Sequence, residues 1–100
     1  MNMATLINLD KKYSRFLFTA MAAVSDSEWV RIGFIDLAAC HVRFEDVIHE
    51  RDGQSYYTLS FCRGEVTQEN WMSVSMADVG GVHVDVDIRT GAVIGLHADR

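Results

Sequence analysis

The chain has 100 residues, of which 49% are hydrophobic and 23% are charged. We expect one domain covering residues 1–100, because single domains usually contain about 100–150 residues. The composition excludes an intrinsically disordered chain, a collagen-like chain and a disulfide-stapled mini-protein, since there are seven glycines, two cysteines and no proline. There is no run of about 18 apolar residues, which predicts that no helix crosses a membrane.

The net charge of −5 is unevenly distributed along the chain. Residues 25–50 contain two arginines and six acidic residues, which gives this segment a net charge of −4. An acidic surface repels phosphate groups, so we expect no direct binding to nucleic acid. The same charge would attract a basic partner protein such as a nuclease, although solubility alone is a sufficient reason for many acidic surfaces.

The N-terminal region has two features of a secretory signal. Basic residues at 11–15 precede the apolar residues 16–24, which contain an Ala-x-Ala-like pattern. However, Asp10 directly adjoins the basic residues and apolar residues come before it, so we favour an amphipathic helix. We therefore expect a cytoplasmic protein in which Cys40 and Cys62 are reduced.

The first predicted element is a helix over residues 11–24. Asp10 is a suitable N-cap, and apolar residues recur at spacings of three and four. These residues form one face that a core can bury: Tyr13, Phe16, Leu17, Ala20, Met21 and Val24.

The middle of the chain is predicted to be mainly β-structure. Residues 29–35 are rich in β-branched and aromatic side chains, which predicts a strand. Residues 36–50 fit both strand and helix periodicity. We favour a strand from about residue 40, because Asp52 and Gly53 favour a two-residue type I′ turn.

That turn also predicts how the two strands of the hairpin pair. Ile48 would face Tyr57 and Phe44 would face Phe61, which keeps the apolar side chains on one face. In this register the two cysteines point to opposite faces, so we expect no disulfide.

The C-terminal half is predicted to add more antiparallel strands. Residues 70–76 and 82–88 alternate between two faces, and a loop over residues 89–91 leads into a last strand over 92–97. The expected fold is therefore α+β, with one N-terminal helix packed on an antiparallel sheet of about five or six strands. An exposed strand at Trp71–Met76 would also permit a homodimer.

The last hairpin contains the clearest cluster of polar residues. Its register predicts that His83 pairs with His97 on one face, while Val84 pairs with Leu96 and Val86 with Ile94 on the other. His83, Asp85 and His97 could bind a metal ion, and together with Asp87 they could form a pH-sensitive patch. They could equally be the ordinary solvent-facing side of a strand.

No linear catalytic motif is present. The chain lacks a glycine-rich phosphate loop, zinc-ligand spacing and a Gly-x-Ser-x-Gly sequence, so we expect a non-enzymatic protein without a cofactor. The aromatic side chains Trp29 and Tyr56 could serve as anchors at a binding surface, since such residues are enriched at interaction hot spots.

Three segments between residues 56 and 97 resemble a short bacterial domain of unknown function. They are Tyr57-Thr58-Leu59-Ser60, then Gly81-Val82-His83-Val84-Asp85-Val86-Asp87, and then Gly91-Ala92-Val93-Ile94-Gly95-Leu96. The resemblance covers less than half of the chain, and residues 1–50 have no counterpart. Some members of that family look like antitoxins, so the resemblance implies a small protein that binds another protein.

These observations together predict a non-catalytic binding protein that neutralises a basic partner. It would act as an immunity protein, an antitoxin or a phage-type inhibitor of a nuclease does. The expected contact residues are Asp36, Glu45, Asp46, Glu50, Trp29 and Tyr56. The alternatives are a metal- or ligand-responsive module that uses the hairpin over 82–97, and a homo-oligomeric structural subunit.

Overall fold

One long helix packs against one face of an antiparallel five-stranded sheet, which confirms the predicted α+β fold. The computed structural model describes residue 5 and residues 7–64, 68–69, 71–73 and 80–99. The helical elements are α1 (Lys11–Ser25), α2 (Glu28–Arg31) and a 3-10 helix (Leu37–Ala39). The strands are β1 (His41–Phe44), β2 (His49–Arg51), β3 (Gln54–Cys62), β4 (Gly81–Asp87) and β5 (Val93–Ala98).

Helix α1 begins and ends close to the predicted positions. The Asp10 carboxylate accepts a hydrogen bond from the Lys12 backbone N–H at 2.9 Å, which satisfies one of the free donors of the first turn. Phe16, Ala20 and Val24 are buried on the face toward the sheet. None of the helices in the described part of the chain is long and apolar enough to cross a bilayer.

The sheet has the spatial order β1-β3-β4-β5, and β2 pairs with the same edge of β3 as β1 does. All pairs are antiparallel. Alternate side chains of β3 and β4 point toward α1 and are almost completely buried: Tyr57, Leu59, Phe61, Val82, Val84 and Val86. Removing these apolar side chains from water is the main stabilising contribution to a fold of this size.

The turn at Asp52 and Gly53 has the positive φ values that type I′ requires, 52° and 81°, and it confirms the predicted hairpin. The predicted pairing of Arg51 with Gln54 next to the turn is confirmed, but the predicted register farther from the turn is wrong. Phe44 pairs with Leu59 rather than Phe61, because residues 45–48 lie opposite only two residues of β3. This bulge keeps Phe44 on the buried face but leaves Ile48 outside the ladder and 59% exposed.

The last hairpin pairs largely as predicted. His83 lies opposite His97 and Val84 opposite Leu96, but Val86 pairs with Val93 instead of Ile94. A register shift between Asp85 and Val86 causes the difference.

The predicted strand over residues 29–35 is wrong. Glu28–Arg31 forms a single helical turn, and Gly33 follows its C-cap with φ of 79°. The backbone N–H groups of Gly33 and Phe34 donate to the carbonyls of Val30 and Trp29, a pattern that commonly ends helices. The local glycine cap therefore prevailed over the β-forming composition of this segment.

The predicted strand over residues 70–76 is also wrong where the structure describes it. Residues 71–73 form a turn, and Trp71 is 62% exposed. Residues 70 and 74–76 lie outside the described residues, so the predicted edge strand for a homodimer stays a prediction.

Candidate functional site

The sheet face opposite to α1 carries a concavity of about 430 Å³. Because side chains alternate along a strand, the residues between the buried ones of β3 and β4 point to this side. We call it the open face and define it by six of the residues that line it: Arg43, Arg51, Ser60, His83, His97 and Asp99.

Four open-face residues form one row across the sheet. Arg43 lies opposite Ser60, Ser60 opposite His83, and His83 opposite His97. The two imidazole rings stack with centroids 5.1 Å apart and planes 30° apart. The confirmed register of the last hairpin is what brings the two histidines together.

A chain of hydrogen bonds runs through His83. Its Nδ1 atom lies 2.7 Å from the Ser60 hydroxyl, and its Nε2 atom lies 2.9 Å from the Asp99 carboxylate. The hydrogen bond from His83 holds the pKa of Asp99 below its usual value, so that group is a charged acceptor. The Nε2 proton is therefore assigned to the bond with Asp99, and Nδ1 accepts a hydrogen bond from the Ser60 hydroxyl.

Asp85 occupies the next row and is 6% exposed. One of its oxygens accepts a hydrogen bond from the Thr58 hydroxyl at 2.8 Å, and the other lies 3.7 Å from the Arg51 guanidinium. Gly95 faces it, and a Cβ atom there would lie 3.0 Å from the same carboxylate. Glycine at this position leaves room for a buried, fully partnered carboxylate.

Asp87 is equally buried, at 6% exposure, and closes the last hairpin. It accepts hydrogen bonds of 2.8 Å from the backbone N–H groups of Arg89 and Thr90. The hydrogen bonds from the backbone N–H groups of Thr90 and Arg89 lower the pKa of Asp87, and the bond from Thr90 has the larger effect. Asp85 and Asp87 are thus not the solvent-facing carboxylates that simple alternation predicts.

The geometry does not favour the predicted metal site at His83, Asp85 and His97. Among the described residues, no three His, Cys, Asp or Glu side chains are placed to hold a metal ion. Both ring nitrogens of His83 and both oxygens of Asp85 already have partners. Metal binding by these residues stays a prediction without structural support.

A second surface lies at the bulge between β1 and β2. We call residues 45–50 the acidic edge: Glu45, Asp46, Val47, Ile48, His49 and Glu50. All six are exposed, and the two apolar members, Val47 and Ile48, are 45% and 59% exposed. Three carboxylates therefore flank two large apolar side chains that the bulge directs into solvent.

An apolar groove of about 360 Å³ lies between α1 and β1. It is lined by Ile7, Leu9, Leu17, Met21, Val42 and Phe44. A smaller depression of about 140 Å³ next to it shares Leu9 and Phe44 with the groove and is bordered by Asp46. Asp46 therefore brings the acidic edge next to the apolar groove, while Glu45 and His49 line the concavity on the opposite face of the sheet.

The structure brings together only some of the predicted contact residues. Glu45, Asp46 and Glu50 belong to the acidic edge, and Tyr56 lies beside it, with its ring stacked on that of His49 at 5.3 Å. Asp36 caps the 3-10 helix through the Ala38 backbone N–H. Trp29 lies in α2, where it is half-buried and packs against the ring of Phe34.

No family model, curated protein or solved structure significantly matches this chain. The function is therefore inferred from the fold, the open face and the acidic edge.

Sequence reasoning missed four residues that the structure makes prominent. Val47 and Ile48 were missed because the predicted register buried Ile48, whereas the bulge exposes both. Ser60 and Asp99 were missed because they lie far from His83 in the sequence, and pairing of β3 with β4 is what brings Ser60 next to it. The predicted His83–His97 pair was the one signal that pointed to this face.

Proposed function

We propose that this chain is a small binding protein that neutralises a basic partner protein, and that the acidic edge is its contact surface. The partner would be a toxin or nuclease, and the role that of an immunity protein, an antitoxin or a phage-type inhibitor. The observation that carries the proposal is the exposure of Val47 and Ile48 between three carboxylates at an edge of the sheet.

Exposed apolar side chains inside a charged rim are the usual composition of a protein-binding surface. Interfaces have an apolar centre that becomes desolvated on binding, while the polar rim stays hydrated and directs the encounter. Bulges are common at sheet edges, where they redirect side chains and end regular pairing. Here the bulge exposes Ile48, which a regular hairpin would have placed on the buried face.

The neighbouring apolar groove supports the same proposal. A partner that places lysine or arginine against Asp46 would bring its own apolar side chains next to Phe44 and Val42. Val42 is 52% exposed, so the groove has apolar surface available for burial. Charge complementarity would then set the orientation and the rate, and apolar burial the affinity.

The net charge bears on the class of partner, and the free thiols bear on the compartment. A net charge of −5 disfavours nucleic acid as the partner. Cys40 and Cys62 are free, as predicted, and burial raises the pKa of both thiols. Two unpaired, partly buried thiols fit a reducing compartment, and we propose the cytoplasm as the site of action.

Co-purification with the product of the neighbouring gene tests the proposal. We expect the tagged chain to retain a basic protein, and to lose it when Glu45, Asp46 and Glu50 are all replaced by lysine. A second variant, Val47→Ser with Ile48→Ser, removes the apolar centre and should also lose the partner.

The chain offers a matched control for the charge reversal. Exposed carboxylates outside the acidic edge include Asp26, Glu28 and Glu69. Replacing these three by lysine changes the net charge equally and should leave the complex intact. Equal loss with both sets would contradict a specific acidic edge. Recovery of only a second copy of the chain would replace the proposal with a homo-oligomer.

A further inference from the structure

The open face contains a hydrogen-bonded set that partner binding at the acidic edge does not use. Ser60 lies 2.7 Å from Nδ1 of His83, whose Nε2 lies 2.9 Å from Asp99. A nucleophilic serine, a base within hydrogen-bond reach and a carboxylate that orients the base are the three parts of a serine hydrolase site. Such sites are recognised by geometry rather than by sequence order, which explains why no linear motif was found.

The hydrogen-bond partners of His83 fit the tautomer that the reaction needs. The Asp99 carboxylate also accepts a hydrogen bond from the Gly81 backbone N–H at 3.2 Å, so two donors hold it in place. With its Nε2 proton directed to Asp99, His83 presents the lone pair of Nδ1 to the Ser60 hydroxyl. In the usual Ser-His-Asp triad, Nε2 of the histidine faces the serine and Nδ1 faces the aspartate. In this protein the two nitrogens are reversed, and either nitrogen can act as the base.

The surroundings of Ser60 provide space and a cation. Ser60 is 8% exposed and lines the concavity of about 430 Å³, a volume typical of small-molecule sites. Arg43 is its direct neighbour on β1 and lines the same concavity. The Arg43 side chain is 58% exposed, and its Nε atom lies 3.8 Å from the Glu45 carboxylate. A guanidinium that lines the same concavity as the nucleophile can stabilise the negative oxygen that forms when a carbonyl group is attacked.

We propose that the open face hydrolyses short carboxylic esters, with Ser60 as the nucleophile, His83 as the general base and Arg43 as the oxyanion-stabilising group. Asp99 is a positioning residue that fixes the orientation of His83. The polar lining of the concavity selects short acyl groups over long apolar chains. This activity differs from the partner-binding function proposed above and from the non-enzymatic role expected from the sequence. The two surfaces share Glu45, which pairs with Arg43 at 3.8 Å.

The reaction balances with water as the only co-reactant. The Ser60 oxygen bonds to the ester carbonyl carbon while its proton passes to Nδ1 of His83. The bond from that carbon to the alcohol oxygen then breaks, and the alcohol leaves with the proton from His83. Water attacks the acyl group, its proton passes to Nδ1, and release of the acid returns the proton to Ser60.

Covalent labelling with a fluorophosphonate tests the nucleophile directly. We expect the wild-type protein to gain the mass of one phosphonyl group on Ser60, and Ser60→Ala to gain none. Ser55 is a matched control on the same strand, because its hydroxyl donates to Glu50 instead of a histidine. Ser55→Ala should label at the wild-type rate.

The labelling rate and the hydrolysis of p-nitrophenyl acetate separate catalysis from a structural role. We expect Asp99→Asn to lower the labelling rate by at least about tenfold, and Arg43→Gln to lower kcat by about a hundredfold with little change in KM. Circular dichroism confirms which variants are folded. Absence of label on Ser60 in the folded wild-type protein, or an unchanged rate in folded Asp99→Asn, would overturn the proposal.

Discussion

Replacing Ile48 by alanine distinguishes the bulged edge from a regular hairpin. In the structure Ile48 is 59% exposed and outside the ladder, so only about two-fifths of it is buried. Complete burial of an isoleucine side chain contributes about 1.5–3 kcal/mol, so Ile48→Ala should lower the free energy of unfolding by no more than about 1 kcal/mol. Leu59 is fully buried, and Leu59→Ala should cost about 2–5 kcal/mol.

Urea unfolding followed by far-UV circular dichroism measures both changes. The Leu59→Ala loss is a large part of the roughly 5–15 kcal/mol that stabilises a domain of this size, so the two variants should be clearly resolved. If Ile48→Ala costs as much as Leu59→Ala, then Ile48 packs opposite Tyr57 as in a regular hairpin. The acidic edge would then lose its exposed apolar centre.

Three further predictions concern residues that position the sheet and the helix. The hydrogen bond from His83 lowers the pKa of Asp99, so its stabilising effect is present above the pKa of the unfolded chain, about 3.9, and is lost as the pH falls through the lower pKa of the folded state. Below that pH, the free energy of unfolding measured by fluorescence should therefore fall less steeply in Asp99→Asn than in the wild-type protein. Gly95→Ala should cost about 1–3 kcal/mol in urea unfolding, because the new methyl group crowds the Asp85 carboxylate. Asp10→Ala removes the N-cap of α1 and should lower the free energy of unfolding by about 1 kcal/mol, measured by thermal unfolding. A wild-type pH dependence in Asp99→Asn, or wild-type stability in Gly95→Ala or Asp10→Ala, would contradict the role given to that residue.

Local signals in the sequence were sufficient for much of the fold. Asp10 and the apolar spacing predicted α1, and the turn at Asp52 and Gly53 predicted the central hairpin. The strict alternation of β4 predicted which of its valines are buried and that His83 lies opposite His97. In each case the structural preference is set within a few residues, so no distant contact was needed to find it.

The features that the sequence did not predict were missed for different physical reasons. A one-turn helix at α2 carries too little periodicity to compete with a β-rich composition, and its glycine cap is evident only from the backbone conformation. Alternation does not reveal the bulge at residues 45–48, because its two extra residues leave Phe44 on the same face as in a regular hairpin. The set of Ser60, His83 and Asp99 depends on pairing between strands distant in sequence, which periodicity does not report.

The affinity of the purified partner for the charge-reversed acidic edge is the most direct test of the proposed function. We predict that replacing Glu45, Asp46 and Glu50 by lysine raises the Kd more than about a hundredfold, because opposing like charges cost several kcal/mol. The matched reversal of Asp26, Glu28 and Glu69 should change the Kd less than about threefold, because screening limits the effect of charges outside the contact. An equal Kd for the two triple variants would contradict the acidic edge as the contact surface.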